Sequence, residues 1–187
     1  MFTHPFHLNC YHLIRDYTLE YMKQYNQKDI YAEGVTFPAD ITQILEEELK
    51  SYGLTTPSNY LSFKRRNYFK PRLETVHIDF GEEFIHSSIV LPIEGCAGTS
   101  MFWMSGEYIT QKKILPNGDP YQVIHWRTTP QVINQVEITE PTLCKVDIPH
   151  DALSNINGEY RTILSIRLKG NPTFEQVLNT RYGLNLT

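Results

Sequence analysis

His77 and Asp79, separated by Ile78 in a strand-like run, and His150, directly after Pro149, form a divided set of metal-ligand residues. Two imidazoles and one carboxylate are the set that holds Fe(II) on one face and leaves the opposite positions open to a co-substrate and dioxygen. Arg161 follows His150 by eleven positions, inside another strand-like run, where its guanidinium could hold the far carboxylate of a keto acid. Type and spacing therefore point to a reaction as well as to a metal.

The elements that must position these residues follow from periodicity. Side chains alternate faces along a strand, so His77 and Asp79 share one face while Val76, Ile78 and Phe80 share the other. The third ligand must come from a distant strand folded back over the first, here the run Leu143-Cys144-Lys145-Val146-Asp147-Ile148 ending at Pro149-His150. Taken singly, His77 is as well read as a hydrogen-bonded strand histidine, and Asp79 as a turn residue before Gly81. The conjunction favours ligands. After His150 come a loop with Asn155 and Asn157-Gly158, then Arg161 at the head of Thr162-Ile163-Leu164-Ser165-Ile166.

Upstream, Leu13, Ile14, Tyr17 and Tyr21 are expected to line one face of a helix from about Cys10 to Gln27, a segment without Gly or Pro. Asp40 is expected to cap a second helix, with Gln43 completing a capping box, Ile44, Leu45 and Leu49 facing inward, Glu46 to Glu48 facing water, and Gly53 as the stop. From Tyr60 the pattern changes to short runs rich in Val, Ile, Thr and aromatics, which predict strands near 60–65, 73–79, 86–93, 101–109, 121–126, 131–138, 143–148 and 160–168. Thr173 is placed to cap a last helix carrying Phe174, Val177 and Leu178. Helices followed by eight strands fit a mainly β (α+β) jelly roll, a double-stranded, cupin-like β-helix with supporting N-terminal helices. The expected division is helical support over 1–58, core over 59–170, and a short helix and tail over 171–187, all in one domain.

Composition sets limits on function. The 187 residues are 41% hydrophobic and 20% charged, enough for one well-buried core and short for two. A formal charge of -4 and a pI near 6.0 disfavour nucleic acid as the main partner, and Lys64-Arg65-Arg66 reads as a solvated strand edge. Cys10, Cys96 and Cys144 are odd in number and lack paired spacing, and no secretion signal opens the chain. A reducing cytoplasmic setting is expected. No apolar run approaches the roughly 20 residues needed to span a bilayer, so no membrane role is expected.

With His77-Ile78-Asp79, the stretch Ser87 to Cys96, Pro149-His150 and Arg161 through Ser165 in view, residues 73–168 resemble the Fe(II)/2-oxoglutarate-dependent oxygenases, particularly their small microbial and phage-encoded members. The resemblance implies iron on His77, Asp79 and His150, 2-oxoglutarate as cosubstrate with its distal carboxylate on Arg161, and hydroxylation of a small-molecule or peptide substrate with release of succinate and CO₂. Two positions depart from the family pattern. Val90 stands where many members carry Asn, and Ser165 follows Arg161 by four positions instead of two. Since Arg161, Ile163, Ser165 and Arg167 share a face by alternation, Arg167 competes for the carboxylate and Ser165 is a further cosubstrate contact.

Two other readings share the fold. In a metal-binding cupin enzyme, Glu83 would join His77 as a ligand and Arg161 would have no metal-linked role. In a binding or virion-type structural module, the metal site would be vestigial. Outside the ligand set, His86 opens a strand and His125, beside Trp126 and Arg127, is a candidate substrate contact. The connection from Thr110 to Arg127, with Gln111, Lys112, Lys113 and Tyr121, is expected to be a substrate-shaping loop, long-armed around Asn117-Gly118. Met101, Trp103 and Ser105 alternate with Phe102 and Met104 as core positions.

Overall fold

The computed structural model describes residues 1–23, 33–34, 36–55, 61–66, 76–79, 85–114, 120–153 and 161–183. Among these, strands β1 (Thr3–Pro5), β2 (Glu33–Gly34), β3 (Leu61–Arg66), β5 (Ser87–Glu94), β10 (Thr142–Lys145) and β12 (Arg161–Arg167) form one antiparallel sheet in the order β1-β10-β5-β12-β3-β2. The second sheet contains β4 (His77–Ile78), β6 (Ser100–Ser105), β7 (Tyr108–Ile114), β8 (Pro120–Trp126), β9 (Gln131–Glu137) and β11 (His150–Leu153), in the order β7-β8-β4-β11-β6-β9. The chain is mainly β, a sandwich with helices on one outer face. No described helix is long and apolar enough to cross a membrane.

Pairing between the two halves of the chain is nested. β3 pairs with β12, β4 with β11, β5 with β10 and β6 with β9, always antiparallel, so early strands meet late ones in reverse order. From β3 to β6 and again from β9 to β12, successive strands alternate between the sheets, and this alternation draws distant segments together.

Three apolar clusters hold the layers together. Ile89, Leu91, Ile93, Leu143, Leu164 and Ile166 face the helices α1 (Tyr11–Met22), α2 (Ala39–Ser51) and α3 (Phe174–Tyr182). Val90, Met101, Trp103, Cys144, Val146 and Ile163 share a second cluster, and Val76, Ile78, Phe102, Met104 and Ile124 a third. β5 therefore has both faces covered and is buried throughout except at Glu94, which explains its nearly continuous apolar run. Pro92 lies in this central strand, although it has no N–H for the ladder. The register against β12 slips there, from Thr162↔Glu94 to Ile163↔Pro92, a bulge that absorbs the missing donor.

The helices differ from expectation at their ends and faces. α1 ends at Met22 with Lys23 as its C-cap, short of the expected Gln27, and its buried stripe is Ile14, Thr18 and Met22, at intervals of four, while Leu13 is exposed. α2 starts at Ala39 after Pro38, with no side-chain cap; Asp40 lies in its first turn and Gln43 Nε2 donates to Glu47 Oε1 at 2.8 Å. Leu45 and Leu49 are buried as expected, but Ile44 is exposed. Glu48 does not face open water: its carboxylate accepts from the backbone N–H of Asn9 and of Cys10, capping α1 from a neighbouring helix. Gly53 ends α2 at φ 71°, where a Cβ would come within 2.9 Å of Thr180 Cγ2. Thr173 caps α3 with a reciprocal Gln176 box, and Phe174, Val177 and Leu178 are buried beneath it.

Three strand expectations also change. The run 101–109 is two strands, parted at Gly106, where a Cβ would press on the Trp126 ring at 3.2 Å. The expected substrate-shaping loop is a hairpin: β7 and β8 stay in register from Tyr108↔Trp126 to Ile114↔Pro120, and Asn117-Gly118 lies outside the described residues. Finally, His150 does not end the run 143–148. β10 belongs to the first sheet, and His150 opens β11 in the second, after a bend through Asp147, Ile148 and Pro149. Pro149 has no N–H to extend either ladder, and its carbonyl instead accepts from Met104 N at 2.9 Å.

Candidate metal centre

The change of sheet at Asp147–Pro149 delivers the third ligand. Once in the second sheet, His150 is paired directly opposite His77 across β11 and β4. Opposed residues on antiparallel strands project to the same face with Cβ atoms about 5 Å apart. Asp79, two positions on from His77, projects to that face as well. Its backbone N–H donates to Val146 O at 3.1 Å, tying the His-x-Asp run to the bend before His150.

The three side chains are buried, and their ligand atoms lie within 4.8 Å of one another. His77 Nε2 is 3.5 Å and His150 Nε2 is 3.9 Å from Asp79 Oδ1, and the two imidazole centroids are 4.7 Å apart. Ligands about 2.1 Å from one ion and at right angles sit roughly 3 Å apart, so closure needs the two Asp79 separations to shorten by less than about 1 Å. His150 Nδ1 lies 2.8 Å from Ile148 O. A carbonyl only accepts, so Nδ1 carries the proton and Nε2 keeps its lone pair for a metal. This buried His-Asp-His group could therefore hold a metal ion.

The group lines a small, partly open cavity of about 40 Å³. Other walls come from Val90, Met101, Val146, Ala152 and Ile163, and the polar lining is completed by Asp151, Arg161 and Ser165. Arg161 is only 4% exposed. Comparison with family models and with curated proteins finds no match.

Of the two candidate arginines, Arg161 lines this cavity, whereas Arg167 is half-buried and is not among the described lining residues. Ser165 lines it too, with Oγ 2.6 Å from Ser88 Oγ. Ser88 directs its single proton to Ile166 O at 3.0 Å, which makes Ser165 the donor within the hydroxyl pair. Val90 presents an apolar wall. His125 is exposed on β8, with Nε2 3.0 Å from Gln111 Oε1, and does not line the cavity. Glu83, Asn155 and Asn157 lie outside the described residues.

Sequence reasoning missed Asp151, which is 3% exposed, and gave Val146 no role beyond its strand. Asp151 could have been flagged by adjacency to His150, since buried carboxylates are rare. The three cysteines are free and buried, and burial pushes each thiol up, Cys10 to about 12. They are neutral fillers at physiological pH, and none supplies a thiolate to the site.

Proposed function

We propose that this protein is a non-haem Fe(II)/2-oxoglutarate-dependent oxygenase that hydroxylates a small-molecule or peptide substrate. The observation that carries the reading is the convergence of two Nε2 atoms and one carboxylate, all on buried residues, on a cavity that Arg161 also lines. A histidine pair with a single carboxylate is a facial set that leaves coordination positions open. Nested strand pairing with alternation between sheets supports reading the sandwich as a jelly roll.

Charge supports the same reading. Two carboxylates and one guanidinium line the cavity and leave one net negative charge, which a divalent cation would turn to one net positive. A dianionic keto acid is then expected to bind only after the metal. When bound, iron and 2-oxoglutarate supply the oxidative decarboxylation that yields succinate and CO₂ and oxidises a substrate C–H bond. His77, Asp79 and His150 hold the metal, and Arg161 grips the distal carboxylate through a charge-assisted, bidentate pair. Val90, Met101, Val146 and Ile163 keep water from the reacting centre. A ferrous site and three protonated thiols suit a reducing, cytoplasmic setting.

The test is an anaerobic titration with Fe(II) and 2-oxoglutarate, followed by the visible charge-transfer band of the chelate and, after admitting air, by succinate release. The band is expected in the parent protein and absent in His150→Ala. No band and no succinate would put a non-catalytic binding module ahead. Loss of iron on Glu83→Ala but not on Asp79→Ala would favour the cupin enzyme.

A further inference from the structure

Asp79 is held by its backbone from two sides. Its N–H donates to Val146 O at 3.1 Å, and its carbonyl accepts from Ile85 N at 3.0 Å. These two holding segments are themselves joined, since Val146 N donates to His86 O at 3.1 Å. The dipeptides 85–86 and 146–147 thus bracket the ligand-bearing residue. One side-chain contact locks the bracket: His86 Nδ1 lies 2.9 Å from Asp147 Oδ2, and a carboxylate can only accept, so the imidazole donates. On its outer side, His86 N donates to Asn171 Oδ1 at 3.0 Å, anchoring the bracket to the lead-in of α3.

The same bend carries His150. Ile148 O fixes its tautomer at 2.8 Å, and Pro149 O takes Met104 N at 2.9 Å. Asp147 therefore sits one residue from the carbonyl that holds Asp79 and one from the carbonyl that orients His150. A shift of this bend would move two ligands at once. Neither His86 nor Asp147 is among the residues lining the cavity, so neither is placed to touch a metal or substrate.

We infer that His86 is a positioning residue which, through Asp147, sets the placement of Asp79 and His150 for metal binding. The inference rests on the oxygenase reading in naming the metal as Fe(II) and in using the band of its 2-oxoglutarate chelate as one readout. Partners hydrogen-bonded directly to metal ligands commonly change metal affinity by about 10–100-fold when removed; His86 acts one contact further out, and a loss near the lower end, about 10-fold, is expected for His86→Ala. In His86→Asn the amide Nδ2 can replace the Nδ1 donor, and affinity is expected to return to within a few-fold of the parent.

The experiment has two arms. In the first, Fe(II) dissociation constants and the energy of the charge-transfer band are compared for the parent, His86→Ala, His86→Asn and the exposed control His12→Ala. In the second, amide hydrogen exchange at Asp79 and Val146 is followed in metal-free protein. Expected results are weaker iron binding, a displaced band and faster exchange in His86→Ala, with rescue by His86→Asn and no change in His12→Ala. Equal iron affinity and equal exchange in parent and His86→Ala would overturn the inference while leaving the oxygenase reading intact. A parent that binds no iron sinks the oxygenase reading, and the exchange arm alone then decides whether His86 holds the bracket. A uniform loss of exchange protection in His86→Ala, without preference for Asp79 and Val146, would also overturn it.

Discussion

If the buried group holds iron as proposed, replacing His77, Asp79 or His150 by alanine removes a ligand atom outright, and each change should cost more iron affinity than the roughly 10–100-fold typical of outer partners. Metal analysis of each purified variant checks this, with circular dichroism showing whether the fold persists. Arg161 is expected to act on the keto acid and not on the metal. Losing a charge-assisted hydrogen bond of about 1.5–3 kcal/mol should raise the 2-oxoglutarate KM by roughly 10–150-fold in Arg161→Ala. Lys at this position should restore only part of the loss, since it keeps the charge without the fork, whereas Arg167→Ala should leave KM unchanged; steady-state succinate assays separate these cases. At this scale the sequence was largely legible. Alternation is a property of neighbouring residues, so the shared face of His77 and Asp79 follows from two-residue spacing, and the structure puts both in the cavity. That Arg161 and Ser165 line it while Arg167 does not was illegible, because where the cavity ends along β12 depends on the strands around it.

Elements are fixed by partners that local sequence does not reveal. Glu48 belongs to α2 but caps α1, a role visible only once the helices pack. Burial pushes its carboxyl up, but the hydrogen bonds from Asn9 and Cys10 outweigh this and leave it below the ordinary value of 4.5. A depressed folded-state value means stability that is present above the unfolded value and lost as pH falls through the folded one. Urea denaturation from pH 6 to pH 3 should therefore show a steeper acid loss in the parent than in Glu48→Gln. By contrast, the Thr173 cap was legible, since its box lies within four residues. Thr173→Ala should cost about 1 kcal/mol in the same assay, with no effect on iron binding. The bend at Asp147–Pro149 was read as the end of a strand because proline marks a break without saying where the chain goes next. Its destination in the opposite sheet is set by Pro149 O, which takes Met104 N, and by the pairing of His150 with His77. Likewise β7 resembles a polar loop because every residue is exposed, yet it is held in register by β8.

On the scale of the whole molecule, the ligands come from β4, β11 and the residue after β4, so a bound metal links segments far apart in the chain. Metal that binds only the folded state should stabilise it by about 2.7 kcal/mol at a free concentration of 100 Kd. For a chain of this size that corresponds to a rise in Tm of roughly 5–10 °C. Differential scanning fluorimetry under argon should show the rise in the parent and not in His150→Ala.

Nested pairing has a further consequence, for the order of assembly. Closing a loop costs more entropy as it lengthens, so among the four nested pairs β6 and β9, next to the β7–β8 hairpin at the turn-back of the chain, should join first, followed by β5 with β10, β4 with β11, and β3 with β12. The pairing that sets His77 against His150 belongs to the third step, and β12 with Arg161 docks in the fourth. On the proposed oxygenase reading, a folding chain halted between them would be able to take up iron before it could retain a keto acid.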